Sequence, residues 1–272
     1  MYVHILACVD GSYDSEVAAK YAFALADAAG ARVSVLTVRG APLHGPEASL
    51  ARLARIAERQ GVDAAFVEEV GERTEVVLSA ARRLGADAIV VSSGGKVKRF
   101  GRFSNNLATQ LVMQADVTVF VVKSVRATTA GGHSRILSPI QDVSLYREER
   151  TEVMALLYAM YRHPLSIMRC KKIAKDTILS DEETYAAHKA MQAYLSPLRD
   201  GLYAREVPHF AYTRICHSIR EEILRFVEQN NFDLLFLRIA PDRFSSFVRK
   251  DFAIEVMKSS ECNVILWKPK GA

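Results

Sequence analysis

Residues 104–123 read SNNLATQLVMQADVTVFVVK, and residues 249–268 read RKDFAIEVMKSSECNVILWK. The two stretches are equal in length and superpose without a gap. Leu107 falls on Phe252, Ala108 on Ala253, Leu111 on Val256, Val119 on Val264 and Val121 on Leu266, apolar on apolar. Each predicts a helix followed by a buried strand, and their recurrence makes the chain an internal repeat. The starts of the copies agree as well, HILACVDGS from His4 standing against RILSPIQDVS from Arg135.

Between those landmarks the first copy alternates strand-like and helical runs. YVHILACV leads to a helix from about Tyr13 to Ala29, then come ARVSVLTV, a helix near Glu47–Gln60, and VDAAFVEEV. A helix near Glu72–Leu84, the run DAIVVS, a helix near Ser104–Gln114 and VTVFVVK follow. Five strands separated by four helices predict a doubly wound α/β domain with a parallel sheet. Ser12 is placed to cap the first helix, and Gly30 and Gly85 sit where helices should stop.

The stretch RATTAGGH at 126–133 reads as a linker, dividing a domain at 1–125 from one at 134–272. The second copy opens with RILSPI and a helix that Ser144 caps and that runs to Arg162. PLSIMRCKKI follows, and the capping box at Ser180–Glu183 starts a helix that Ser196-Pro197 is expected to kink or end. REVPHFAYT carries Pro208 and reads as an edge strand. A helix near His217–Gln229, FDLLFLRI, a helix near Lys250–Ser259 and CNVILWK complete it.

Half of the 272 residues are apolar, enough for a full core. The net charge of +5 divides as +2 for residues 1–132 and +3 for 133–272, so neither copy is a polybasic nucleic-acid module. Cys8, Cys170, Cys216 and Cys262 form no C-x-x-C pair and read as buried, reduced thiols of a cytosolic protein. Met1 leads straight into an apolar strand without a basic leader, and no apolar run nears the ~20 residues of a membrane span, so neither secretion nor a membrane is expected. The histidines show no H-x-x-x-H or H-E-x-x-H spacing, and no nucleophile stands in a recognisable order with a base. The expectation is therefore a protein without a catalytic constellation or a resident metal.

The chemistry of the first copy concentrates in SSGGKVKRFGRFSNN, from Ser92 to Asn106. Glycines let backbone N–H groups approach an anion closely, and the following helix contributes its N-terminal dipole. Lys96, Lys98, Arg99 and Arg102 add side-chain charge, and an arginine grips phosphate bidentately. The competing reading is an exposed, solvated loop between a strand and a helix. The string is not a Walker A loop, lacking G-x-x-x-x-G-K-[ST]. The corresponding stretch of the second copy, RIAPDRFSSFVRK (238–250), holds no glycine, and Gln141 stands where the first copy has Asp10, so a structural second domain, or one with a different ligand, is expected.

ILACVDGS, the Asp87–Val91 strand entering a glycine-rich loop, Gly101 with Ser104 at the next helix, and ADVTVFVVK together resemble the universal stress protein family, in its tandem form. The resemblance implies two five-stranded parallel sheets of order 3-2-1-4-5, commonly paired through their last strands, so that a tandem chain becomes an internal pseudo-dimer, with a homodimer as a further option. It also implies ATP binding through an Asp after strand 1, backbone at the end of strand 2, and a G-x-x-G-x9-G-[ST] loop after strand 4. In this sequence Asp10 matches the first, and Val38 lies at the second. Gly94 and Gly95 stand in the early glycine region but adjacent to each other, and Gly101 matches the late glycine across a shorter gap. Arg102 replaces the Ser or Thr, Ser104 carries a hydroxyl two positions on, and Lys96 adds charge within the loop. The implied function is a non-catalytic, cytoplasmic stress-response or regulatory protein with a protein partner, whose first domain takes ATP or another phosphorylated ligand, with only nucleotide-bound magnesium. The residues leave open an interaction module that has lost nucleotide, and, ranked below it, a slow ATP hydrolase.

Overall fold

A computed structural model describes residues 2–39, 46–94, 107–125, 132–141, 147–239 and 252–271. The first copy forms β1 (His4–Cys8), α1 (Tyr13–Ala29), β2 (Arg32–Arg39), α2 (Pro46–Gln60), β3 (Ala64–Val70), α3 (Arg73–Leu84), β4 (Ala88–Ser92), α4 (Leu107–Gln114) and β5 (Thr118–Lys123). The second forms β6 (Ile136–Pro139), α5 (Arg147–Tyr161), β7 (Leu165–Lys172), α6 (Asp181–Tyr203), β8 (His209–Cys216), α7 (Ile219–Gln229), β9 (Leu234–Arg238), α8 (Phe252–Ser259) and β10 (Asn263–Lys268).

The strands make one ten-stranded sheet of order β3-β2-β1-β4-β5-β10-β9-β6-β7-β8. Each half is parallel within itself and has the 3-2-1-4-5 order, and β5 meets β10 antiparallel. At that seam Val121 lies opposite Leu266, the residues matched in the repeat, so a pseudo-twofold passes between them. Every residue of β5 and β10 is buried, as strands covered on both faces must be. One apolar cluster fills the face under α1, α2, α5 and α6, and another the face under α3, α4, α7 and α8; each contains residues of both halves.

Local signals act as physical chemistry requires. Ser12 Oγ accepts from Ser15 N at the start of α1, and Gly30 and Gly85 take φ of 66° at the ends of α1 and α3. Ser180 and Glu183 complete their reciprocal capping box. Two expectations need correction. Ser196-Pro197 does not end α6, which continues to Tyr203. A proline inside a helix costs about 3 kcal/mol, but Leu195, Leu198 and Leu202 around it are all buried in the core, and that burial offsets the lost bond. Pro208 precedes β8 instead of lying within it, although β8 is indeed an edge strand. Ser144, proposed to cap α5, lies outside the described residues.

A second tie across the halves begins at His133, which is 1% exposed. Its Nε2 meets the Tyr21 hydroxyl, and its Nδ1 lies 3.3 Å from Asp233 Oδ1. Asp233 also accepts from the backbone N–H groups of Ser134 at 2.9 Å and Arg135 at 3.2 Å. Burial pulls the Asp233 carboxyl upward, but these bonds and the His133 partner outweigh it and hold the group below its ordinary value.

Candidate functional site

The strand order reverses between β1 and β4, and in open α/β sheets the crevice at the carboxyl ends of such strands is where ligands sit. A cavity of about 270 Å³ opens there. Its floor is Cys8, at the end of β1, with Leu36 and Val38 from β2 and Val91 from β4. These residues are apolar because they come from strands buried on both faces.

The polar wall begins where β1 stops. Asp10 Oδ1 accepts from Ser12 N at 3.0 Å, and Asp10 N donates to Ser15 Oγ at 3.2 Å. Gly11, at φ 82°, makes the tight turn between them. Burial alone raises the Asp10 carboxyl, yet the Ser12 and Ser15 hydrogen bonds and the Arg73 charge prevail and keep it below the ordinary range. The Cys8 thiol moves the other way, pushed up to about 12 by burial, with Asp10 adding to the effect and Arg73 opposing it. At neutral pH it is a neutral, unreactive part of the floor.

The opposite wall is the start of α3 and part of α4. Glu72 caps α3, its carboxylate accepting from Glu75 N at 2.9 Å. Arg73, the first helical residue, brings Nη2 to 3.8 Å from Asp10 Oδ2. Thr74 Oγ1 donates to Gln110 Oε1 and joins α3 to α4. Ser93 and Gly94 continue β4 into the cavity rim; Gly94 has φ of 86°, and Ser93 N donates to Val122 O at 2.8 Å.

Asp10, Val38 and Gly94 thus line one cavity, while Gly95, Lys96, Gly101, Arg102 and Ser104 lie outside the described residues. Sequence reasoning did not single out Arg73, Thr74 or Gln110. The available signal was topological: once β1 and β4 are neighbours, the α3 N-terminus must border the same crevice.

In the second half the chain after β6 is tied from within. Arg169 Nη1 donates to Ile140 O at 3.2 Å, to Gln141 Oε1 at 3.0 Å and to Gln141 O. Its guanidinium lies 4.1 Å over the Tyr194 ring, and the Tyr194 hydroxyl donates to Gln141 O at 3.3 Å. Gln141 takes the place of Asp10 and is held by an arginine that has no counterpart in the first half, where β2 carries Thr37 at that register.

Residues 1–49 match the model of the Universal stress protein family. The fold extends that likeness to the whole chain. A universal stress protein from Archaeoglobus fulgidus DSM 4304 superposes with a TM-score of 0.63 at 14% identity, over 98% of this chain and 97% of that one. The chain has a tandem universal stress protein fold. A putative universal stress protein from Pseudomonas aeruginosa UCBPP-PA14 gives a TM-score of 0.68 at 11% identity, covering 99% and 94% of the two chains. The same tandem fold is shared by the cytoplasmic domain of a prokaryotic cation chloride cotransporter, at a TM-score of 0.61, 13% identity and coverages of 100% and 97%. A search of curated proteins finds no match to the sequence.

Proposed function

We propose that this chain is a non-catalytic regulatory protein of the universal stress protein type, whose first half binds ATP or a related phosphorylated nucleoside in the cavity between β1, β2, β4 and α3. The observation that carries the reading is the meeting of Asp10, Val38 and Gly94 around one apolar-floored cavity at the switch point of the sheet. Its volume of about 270 Å³ sits just below the range of about 300–1,000 Å³ common for small-molecule sites, and suits a base with its sugar. In this reading the phosphates are held by residues that follow Gly94 in the chain, Gly95, Lys96, Gly101, Arg102 and Ser104. Among the described residues no cluster of metal-ligating side chains occurs, and we assign magnesium only to the nucleotide.

In this reading the working units are residues 1–125 and 134–272 joined through 126–133, and the second unit is structural, its Asp10 position given to Gln141. No helix among the described residues is long and apolar enough to cross a membrane, and we place the protein in the cytoplasm. Ligand acts by changing the population of a conformation or assembly that a partner protein reads, which requires unequal affinity for the two states.

Calorimetric titration of the full chain with ATP tests the proposal. The expected result is saturable binding near one ATP per chain, weakened about tenfold or more by Asp10→Ala, which removes a charged acceptor. No saturation up to about millimolar ATP would overturn it in favour of an interaction module. That alternative draws on the Arg73–Asp10 contact, which already engages the site's carboxylate from within the chain.

A further inference from the structure

The two halves differ at the amino ends of their strands, away from the Asp10 cavity. Asp87, before β4, accepts from Val3 N at 2.8 Å and His4 N at 3.4 Å, just as Asp233, before β9, accepts from Ser134 N and Arg135 N. Tyr2 is therefore the counterpart of His133, and Thr118, which opens β5, is that of Asn263, which opens β10. Gly30 after α1 and Arg162 after α5 both take positive φ, 66° and 56°, and Tyr21 and Val153 stand equally far before them. Beside α1 this place is filled. The Tyr21 hydroxyl meets His133 Nε2 and accepts from Asn263 Nδ2 at 3.5 Å, and both Tyr21 and His133 are buried. Beside α5, where Val153 takes the tyrosine's place, a cavity of about 540 Å³ opens instead, lined also by Tyr2, Thr118 and Leu156.

We infer that this cavity is a second ligand site, built for a small zwitterion with an apolar body, the chemistry of a free apolar amino acid. Its volume lies within the range of about 300–1,000 Å³ common for small-molecule sites. Val153, Ala155 and Leu156 supply an apolar lining. Two of the acidic lining groups are engaged: Asp87 by its backbone donors, and Glu152, whose Oε1 lies 4.0 Å from Arg205 Nη2. Glu149 and Lys270 also line the cavity, and no hydrogen bond or ion pair joins them. Partial burial, and then the Glu152 charge, raise the Glu149 carboxyl above its ordinary value, and the attraction of Lys270 does not restore it. A ligand ammonium at Glu149 supplies the missing positive charge, and a ligand carboxylate satisfies Lys270 in the same step. A ligand with one charge serves only one of the two groups.

The test is a calorimetric titration of the full chain with phenylalanine, phenethylamine and 3-phenylpropionate, which share one apolar body and differ in charge. Phenylalanine is expected to bind saturably with a Kd below about 1 mM, and each singly charged analogue at least about tenfold more weakly. Val153→Tyr, which installs the side chain that the other half carries at this position, should abolish binding with the fold intact by thermal unfolding. Glu149→Gln should weaken phenylalanine by about tenfold, and it keeps the site testable if the tyrosine variant is unstable. Absence of phenylalanine binding overturns the site. Phenethylamine or 3-phenylpropionate binding as tightly as phenylalanine overturns recognition of a zwitterion. Phenylalanine binding that survives unchanged in a folded Val153→Tyr or in Glu149→Gln places the ligand elsewhere and overturns the inference.

Discussion

Lys123 at the end of β5 and Lys268 at the end of β10 each donate to the carbonyls that close the other half's last helix. Lys123 Nζ lies 2.7 Å from both Met257 O and Ser260 O at the end of α8, and Lys268 Nζ lies 2.7 Å from Ala115 O and 3.4 Å from Val117 O after α4. The two lysines are counterparts in the repeat, and both are buried. A helix C-terminus carries partial negative charge and unpaired carbonyls, so a buried ammonium there serves both needs at once.

Removing either lysine should loosen the seam more than any surface salt bridge would. Lys123→Met keeps the apolar stem but leaves two buried carbonyls without a donor, and we expect a loss of about 1–3 kcal/mol in urea unfolding. Lys268→Met should cost a similar amount. A change below about 0.5 kcal/mol for both, the size usual for surface substitutions, would show that solvent replaces the ammonium.

The pairing of buried His133 with half-buried Asp233 predicts an acid-sensitive contribution to stability. The Asp233 carboxyl lies below its ordinary value of 3.8 in the folded protein, so its contribution is fully present above that pH and is lost as pH falls through the lower folded value. Asp233→Asn should therefore be less stable than wild type near pH 6, with the difference shrinking as pH drops below 3.8. Thermal unfolding across that range measures it, and a difference constant with pH would assign the effect to packing.

The cysteines should resist alkylation in the folded state. All four are buried and outside any disulfide, and burial pushes the Cys8 and Cys170 thiols up to about 12. At pH 8 a thiol with such a value is thiolate in only about one molecule in ten thousand. Iodoacetamide should modify none of them in native protein over an hour and all four after denaturation. Rapid native labelling of Cys8 would mean that the cavity floor opens to solvent.

Gly71 enters α3 with φ of 149°, and a Cβ there would lie 2.9 Å from Val76 Cγ2. Gly71→Ala is expected to cost about 1–3 kcal/mol through backbone strain and this clash. Because the loss falls one residue before the Glu72 cap, ATP affinity should weaken with it, read by the same titration.

The strands, helices and repeat were legible because they follow from patterns that burial imposes, near-continuous apolar strands, capping residues and aligned valines and leucines, whereas the strand order and the pairing of β5 with β10 were expected only through the family resemblance. His133 was not legible. It sits in a stretch of small and polar residues, and its burial depends on Tyr21 and Tyr161, which only tertiary packing brings to its ring. Pro197 does not end α6 for a related reason, since local propensity yields to the buried leucines on either side. Of the residues that line the cavity, Asp10 and Val38 were expected through the family resemblance, and Gly94 also from the glycines that follow β4. Arg73 was not, because one arginine at a helix start has no signature until the neighbouring crevice is known.

The antiparallel seam gives the sheet no net direction. The strands of one half end where those of the other begin, so the Asp10 cavity and the Arg169-tied end of β6 open at opposite poles of the molecule. A small molecule held at one pole does not compete for space with a protein docked at the other. The two ends are joined by β5 and β10, by the two cores that both halves share, and by the Tyr21–His133–Asp233 contacts.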